Sequence, residues 1–203
     1  MKYTMMDNDP FTRNRITHSY VWWNDGFSNE ELDRLEKFCD TVDLVTAITT
    51  DLKDDVRKSK VKFYNRTNEA AWIFDRFNMI ASTMNDKFYG FDLYGYDNFQ
   101  YTVYESGDRY DWHMDTVMGN ELNGMEASST RKFSLVMLLN EPKKDFTGGE
   151  FELNLSSEND AKNVELKRGM IVAFPSFMIH RVKPVLSGIR KSIVIWIQGP
   201  KFR

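Results

Sequence analysis

The chain holds three histidines, and two of them stand where they could do chemistry. His113 is followed two residues later by Asp115. On an extended strand, side chains at i and i+2 leave the same face, so imidazole and carboxylate converge. His180 can complete the set from a distant strand that a rolled sheet brings alongside. Two imidazoles and one carboxylate on one side of a divalent metal leave other positions open. That arrangement suits non-haem Fe(II), which must bind oxygen and a co-substrate, and zinc can also occupy it. A His-x-Asp pair also arises by chance, and His180 alone reads equally as a hydrogen-bonded structural histidine.

The end of the chain weighs against the bland reading. Arg190, Ser192, Val194, Trp196 and Gln198 alternate onto one strand face, while Ile189, Ile193, Ile195 and Ile197 dominate the other. The isoleucine face is the packing surface, so the arginine and tryptophan point into a barrel interior. A buried arginine needs an anionic partner, and no carboxylate of the chain obviously supplies one. A dicarboxylate co-substrate fits: one end chelates the metal, and Arg190 forks the distal carboxylate in a bidentate pair.

These residues need a rolled β scaffold, and the hydrophobic pattern predicts one. Ser28 followed by Glu31 is a capping box, and Leu32, Leu35, Phe38 and Val42 recur at helical spacing. A second helix is expected over 69–88, capped by Asn68, with Trp72, Ile73, Phe77, Ile80, Met84 and Phe88 as its apolar stripe. Between them, 56–64 reads as a strand whose Lys58, Lys60 and Lys62 share a solvated face. Short strands are then expected over 99–104, 112–116, 132–139, 150–155, 170–174, 178–182 and 189–197, separated by Gly, Pro, Ser and Asp turn signals. The helices precede the strands and do not alternate with them, which argues against a parallel βαβ fold. The fold class is α+β, mainly β: a double-stranded β-helix (jelly roll) with N-terminal helices packed on one sheet. The long gap 117–130 is of a length that often serves as a lid.

Composition narrows the classes further. At 203 residues the expectation is a single domain over 1–203, with a helical part over about 1–90 and the jelly-roll core over about 91–200. Hydrophobic residues at 41% suffice for a packed core, and a net charge of −3 disfavours a polybasic nucleic-acid binder. The single cysteine, Cys39, excludes an intramolecular disulfide framework and a cysteine-based metal site. No apolar run approaches the roughly 20 residues of a membrane span, and residues 1–10 lack the apolar core of a signal peptide. The expected location is therefore cytoplasmic, with no membrane partner.

The motifs together resemble a known family. Tyr104-Glu-Ser-Gly-Asp-Arg-Tyr110-Asp-Trp-His113-Met-Asp115, then Arg131, Gly148-Gly149-Glu150, His180-Arg-Val-Lys-Pro184 and Ser187-Gly-Ile-Arg190 look like the 2-oxoglutarate- and Fe(II)-dependent oxygenases. The branch they resemble most is the prolyl 4-hydroxylase-like one, in particular the PKHD-type hydroxylases. Phe27-Ser-Asn-Glu-Glu-Leu matches that family's opening helix. The resemblance implies His113, Asp115 and His180 as iron ligands and Arg190 as the anchor of the 2-oxoglutarate C5 carboxylate. It places Tyr104 in the co-substrate pocket. The family's second polar anchor falls on the stretch 133–139, where Ser134 is the only hydroxyl.

Tyr110, Arg131 and Trp196 match positions that meet the target peptide, though Tyr104 and Trp196 also read as core aromatics and Arg131 as a surface arginine. Tyr110 has the wrong parity to face the metal from a regular strand, so a bulge or loop is required there. The implied cofactors are Fe(II), 2-oxoglutarate, O2 and ascorbate. The implied partner is a peptide or protein substrate containing proline, and the products are succinate and CO2. Alternatives are the same chemistry on a free amino acid, a small metabolite or an alkylated base, or a non-catalytic metal-binding jelly roll. Arg190 separates the last, because a structural metal site has no need of an interior arginine.

Overall fold

Ser28 opens the first helix in the way its neighbours dictate. Its hydroxyl accepts the Glu31 N–H at 3.2 Å, and the Glu31 carboxylate accepts the Ser28 N–H at 2.8 Å. This reciprocal box satisfies two donors that a helix start otherwise leaves orphaned. The structure is a computed structural model that describes residues 18–41, 43–47, 56–116, 121–122, 125–126, 129–155 and 160–201. A short strand, Val21–Trp23 (β1), precedes the capped helix Asn29–Asp40 (α1). Leu32, Leu35 and Cys39 of α1 turn inward, and Glu31 pairs with Arg76 of the next helix at 2.8 Å. Val45–Thr46 (β2) follows.

The strand expected over 56–64 is instead broken at Ser59. Arg57–Lys58 (β3) and Lys60–Asn65 (β4) enter different sheets. The lysine row is therefore not one solvated face: Lys58 pairs with Asp108 at 3.3 Å and Lys60 with Glu105 at 2.6 Å. The second helix, Ala71–Phe88 (α2), starts later than expected, and Asn68 does not cap it. Ala70 occupies the cap position with no side-chain bond to the helix, and its own N–H donates to Thr67 Oγ1 at 3.2 Å.

Beyond α2 the chain is β. Asn98–Tyr104 (β5), Arg109–His113 (β6), Glu121–Leu122 (β7), Met125–Glu126 (β8), Ser129–Leu138 (β9) and Phe146–Gly148 (β10) come first. Phe151–Asn154 (β11), Ala161–Val164 (β12), Ile171–Pro175 (β13), His180–Val182 (β14), Val185–Gly188 (β15) and Arg190–Pro200 (β16) complete it. A seven-stranded sheet, in the order β1-β13-β9-β16-β5-β4-β2, lies against a five-stranded sheet, β12-β11-β14-β6-β3. This is the expected jelly roll. The short strands β1, β2, β10, β12 and β15 carry too little alternation to stand out in the sequence.

Period-2 alternation divides the apolar side chains between two cores. From β9, Leu135 and Met137 join Ile193, Ile195 and Ile197 of β16 against Ile73, Phe77, Ile80 and Met84 of α2. Val136 and Leu138 point the other way, packing with Val172, Phe174, Phe151, Leu153 and Val182 between the sheets. Each such side chain contributes roughly 1.5–3 kcal/mol on burial. No helix among the described residues is long and apolar enough to cross a membrane.

Candidate functional site

His113 closes β6, His180 opens β14, and the two are register partners across the five-stranded sheet. Asp115 lies beyond the end of β6, so shared strand parity is not what aims its carboxylate. A bend does so instead: the Asp115 and Thr116 N–H groups donate to the Ser176 carbonyl at 2.9 and 3.1 Å. His113 Nε2 then stands 3.7 Å from Asp115 Oδ1, and His180 Nε2 stands 3.5 Å from Oδ2. All three ligand atoms fall within 4.8 Å of one another.

The tautomers follow from the backbone. His113 Nδ1 meets the Asp111 carbonyl at 2.8 Å and His180 Nδ1 meets the Met178 carbonyl at 2.9 Å. A carbonyl only accepts, so each Nδ1 carries the proton and each Nε2 presents a lone pair. Burial, and then His180, push the His113 pKa down to about 3, which keeps that imidazole neutral. Burial alone would raise the Asp115 pKa. Ser134 and the Arg131 charge favour the carboxylate, and the carboxyl lies below its ordinary value. Asp115 Oδ2 is buried with no hydrogen-bond donor. Three lone-pair donors facing one another, one of them an unsatisfied buried oxygen, fit a divalent metal ion.

Arg190 begins β16 and is 1% exposed. Its Nε donates to the Gly149 carbonyl and its Nη1 to Ser192 Oγ, both at 3.1 Å, while buried Nη2 has no partner among the described residues. Tyr104 is its register partner on β5, with the guanidinium carbon 5.4 Å from the ring centroid. Burial pulls the Arg190 pKa below its ordinary value, and no carboxylate among the described residues pairs with it. A narrow cavity is lined both by Arg190, Tyr104 and Ser192 and by His113, Asp115 and His180. A wider groove that reaches Arg190 past Phe146 and Leu166 holds none of the three side chains of the donor set.

Ser134 is placed elsewhere. It is the register partner of Trp196, six residues or roughly 20 Å along β16 from Arg190, and bonds Ser176 Oγ at 2.8 Å. The sequence pairing of Ser134 with Arg190 is therefore corrected: Ser134 supports the Asp115 end, and Ser192 is the hydroxyl at the arginine. Gly149 was legible as part of a turn signal and of the Gly148-Gly149-Glu150 motif, with no role of its own. Its φ of +65° is open to glycine, and a Cβ there would stand 2.9 Å from Arg190 Cδ.

At the open end, the register between β14 and β6 shifts between His180 and Val182, which is the bulge that Tyr110 needs. Its ring stacks on His113 with centroids 3.4 Å apart and planes 10° from parallel. Arg131 lies over the Trp196 ring at 4.0 Å and donates from Nη1 to the Asp115 carbonyl at 3.3 Å. Trp196 lines the cavity, although the isoleucines beside it belong to the helix-side core. Arg57 also lines the cavity, 4.6 Å over the Tyr110 ring. Sequence reasoning missed it because its strand read as one solvated lysine face. The lid expected over 117–130 lies largely outside the described residues.

Residues 99–198 match the 2OG-Fe(II) oxygenase superfamily, a span that contains the whole donor set and Arg190. The chain belongs to that superfamily. Among curated relatives, a PKHD-type hydroxylase of Psychrobacter sp. (strain PRwf-1) is 34% identical over 99 residues, covering 49% of this chain and 37% of that one. The chain thus spans well under two thirds of the length of the curated relatives it matches. Among solved structures, a Pseudomonas putida prolyl-4-hydroxylase superposes with a TM-score of 0.71 at 19% identity, covering 91% of this chain and 95% of that one. A prolyl hydroxylase from Trichoplax adhaerens, in complex with a hypoxia inducible factor oxygen degradation domain peptide fragment, gives 0.67 at 17% identity over 89% and 84%. Both likenesses are of fold.

Proposed function

We propose that this oxygenase is an Fe(II)- and 2-oxoglutarate-dependent dioxygenase that hydroxylates prolyl residues of a peptide or protein. In net terms R–H, O2 and 2-oxoglutarate become R–OH, succinate and CO2. The observation that carries the reading is one cavity lined by both the histidine–carboxylate set and a buried arginine with an unpartnered Nη2. A dicarboxylate answers both requirements, chelating at one end and accepting the guanidinium fork at the other.

In this reading His113, Asp115 and His180 hold the iron, and the Asp111 and Met178 carbonyls fix the imidazole orientation. When bound, the iron supplies oxygen activation coupled to decarboxylation of the co-substrate. Arg190 and Ser192 fix the distal carboxylate, and the Gly149 carbonyl orients the guanidinium. Val136, Phe151 and Val182 exclude water from the space between, which strengthens each charge interaction there. Trp196, which lines the same cavity, offers an aromatic ring to a proline residue. The names of the relatives and the peptide complex of one neighbour favour a peptide substrate.

The test is an oxygen-free titration with Fe(II) and 2-oxoglutarate, followed by succinate release in air with ascorbate and a panel of proline-containing peptides. Stoichiometric iron, saturable 2-oxoglutarate and peptide-stimulated succinate are expected. Failure of the iron-loaded protein to bind 2-oxoglutarate would sink the assignment. Stimulation by a free amino acid and by no peptide would move the substrate to the small-molecule class.

A further inference from the structure

Two arginines stand beside the donor set, and no carboxylate pairs with either guanidinium among the described residues. Arg57 lines the cavity and lies over Tyr110, whose ring in turn covers His113. Its Nε donates to Ser59 Oγ at 2.9 Å. Arg131 lies over Trp196, and its one hydrogen bond runs to the Asp115 backbone carbonyl. Three other cations of the five-stranded sheet are paired: Lys58 with Asp108, Arg109 with Asp111 and Arg181 with Glu152. Holding two like charges together near a partly dehydrated site costs free energy. It does so in a chain whose net charge is −3. The charge of Asp115 acts on Arg131, but its carboxylate oxygens face the two histidines. A guanidinium held over an aromatic ring still has N–H groups to donate, and a planar fork matches a carboxylate.

We infer that Arg57 and Arg131 together grip a carboxylate of the substrate, so that the preferred substrate is an acidic peptide with Glu or Asp beside the residue presented to the metal. This rests on the hydroxylase reading above and narrows its substrate class. The Tyr110 and Trp196 rings each hold one arginine of the grip in place. An amide analogue of the same shape would leave both arginines without a counter-ion, and such sites discriminate strongly against the analogue.

Two peptides test it, acetyl-Ala-Glu-Pro-Glu-Ala-amide and its glutamine counterpart. Each is titrated calorimetrically into the oxygen-free protein loaded with Fe(II) and 2-oxoglutarate, and succinate release in air is measured alongside. The wild type is expected to bind the acidic peptide about ten-fold tighter or more. In Arg57→Gln the ratio is expected to fall to about two or less, and in Arg57→Lys part of it returns. Equal affinities in the wild type, a preference that survives in Arg57→Gln, or no binding of either peptide would overturn the inference. Succinate separates this from the parent reading. Equal binding with succinate from both peptides removes the grip alone. An acidic preference lost in Arg57→Gln, with no succinate from either peptide, keeps the grip and removes the prolyl hydroxylase reading.

Discussion

Each site histidine is aimed by a carbonyl two residues back on its own chain, so its orientation does not depend on a bound ion. Removing one imidazole should therefore delete a ligand without unfolding the site. His180→Ala is expected to lose stoichiometric Fe(II) binding while keeping the wild-type circular dichroism spectrum, and full iron occupancy in that variant would remove His180 from the ligand set. Arg190 is the second decisive residue. Arg190→Lys keeps a charge but has no planar fork to satisfy Gly149, Ser192 and a carboxylate together. Its 2-oxoglutarate affinity is expected to fall by about ten-fold or more, with Fe(II) affinity unchanged. An unaltered 2-oxoglutarate dissociation constant would contradict the anchor role.

Among the elements, one short turn does more than its length suggests. Gly148 and Gly149 both have positive φ, and the second places its carbonyl on Arg190 Nε. Gly149→Ala forces an L side chain into the left-handed region, at a cost of roughly 1–2 kcal/mol, and drives its Cβ against Arg190 Cδ. Lower thermal stability together with weakened 2-oxoglutarate binding is expected. Loss of stability alone would show that the turn does not position the arginine. The Ser28 box is a contrasting case, remote from the cavity. Ser28→Ala should cost about 1 kcal/mol in denaturant unfolding and leave 2-oxoglutarate affinity as it was.

For the molecule as a whole, the seven-stranded sheet is shared by a helix-side core and an inter-sheet core, and only the second surrounds the cavity. Ligands that bind only the folded state should stabilise it through linkage, by about 2.7 kcal/mol at a hundred-fold excess over the dissociation constant. Oxygen-free thermal unfolding is expected to show a rise with Fe(II) and a further rise with 2-oxoglutarate, and chelation should reverse both. Phe77→Ala in the helix-side core should cost about 3–5 kcal/mol. The ligand-induced shift should persist in it, because distant sites act additively. A ligand response that vanished with Phe77 would mean the two cores are one cooperative unit at the site.

How much of this was legible beforehand depended on the range of the interaction involved. The fold class, the α1 cap and the identities of His113, Asp115, His180 and Arg190 were readable from local pattern, because capping, alternation and residue chemistry act over a few positions. The parity of Tyr110 even required the bulge later found in β6. What the sequence could not decide was set by partners far along the chain. Ser176 bends the backbone that aims Asp115, and the break at Ser59 sends β3 to one sheet and β4 to the other. Arg57 joins the site only because of that break, and Ser134 is separated from Arg190 only by the register of β9 on β16. Sheet register and a change of sheet are long-range choices, settled by how two cores close around each other. No short window of residues encodes them.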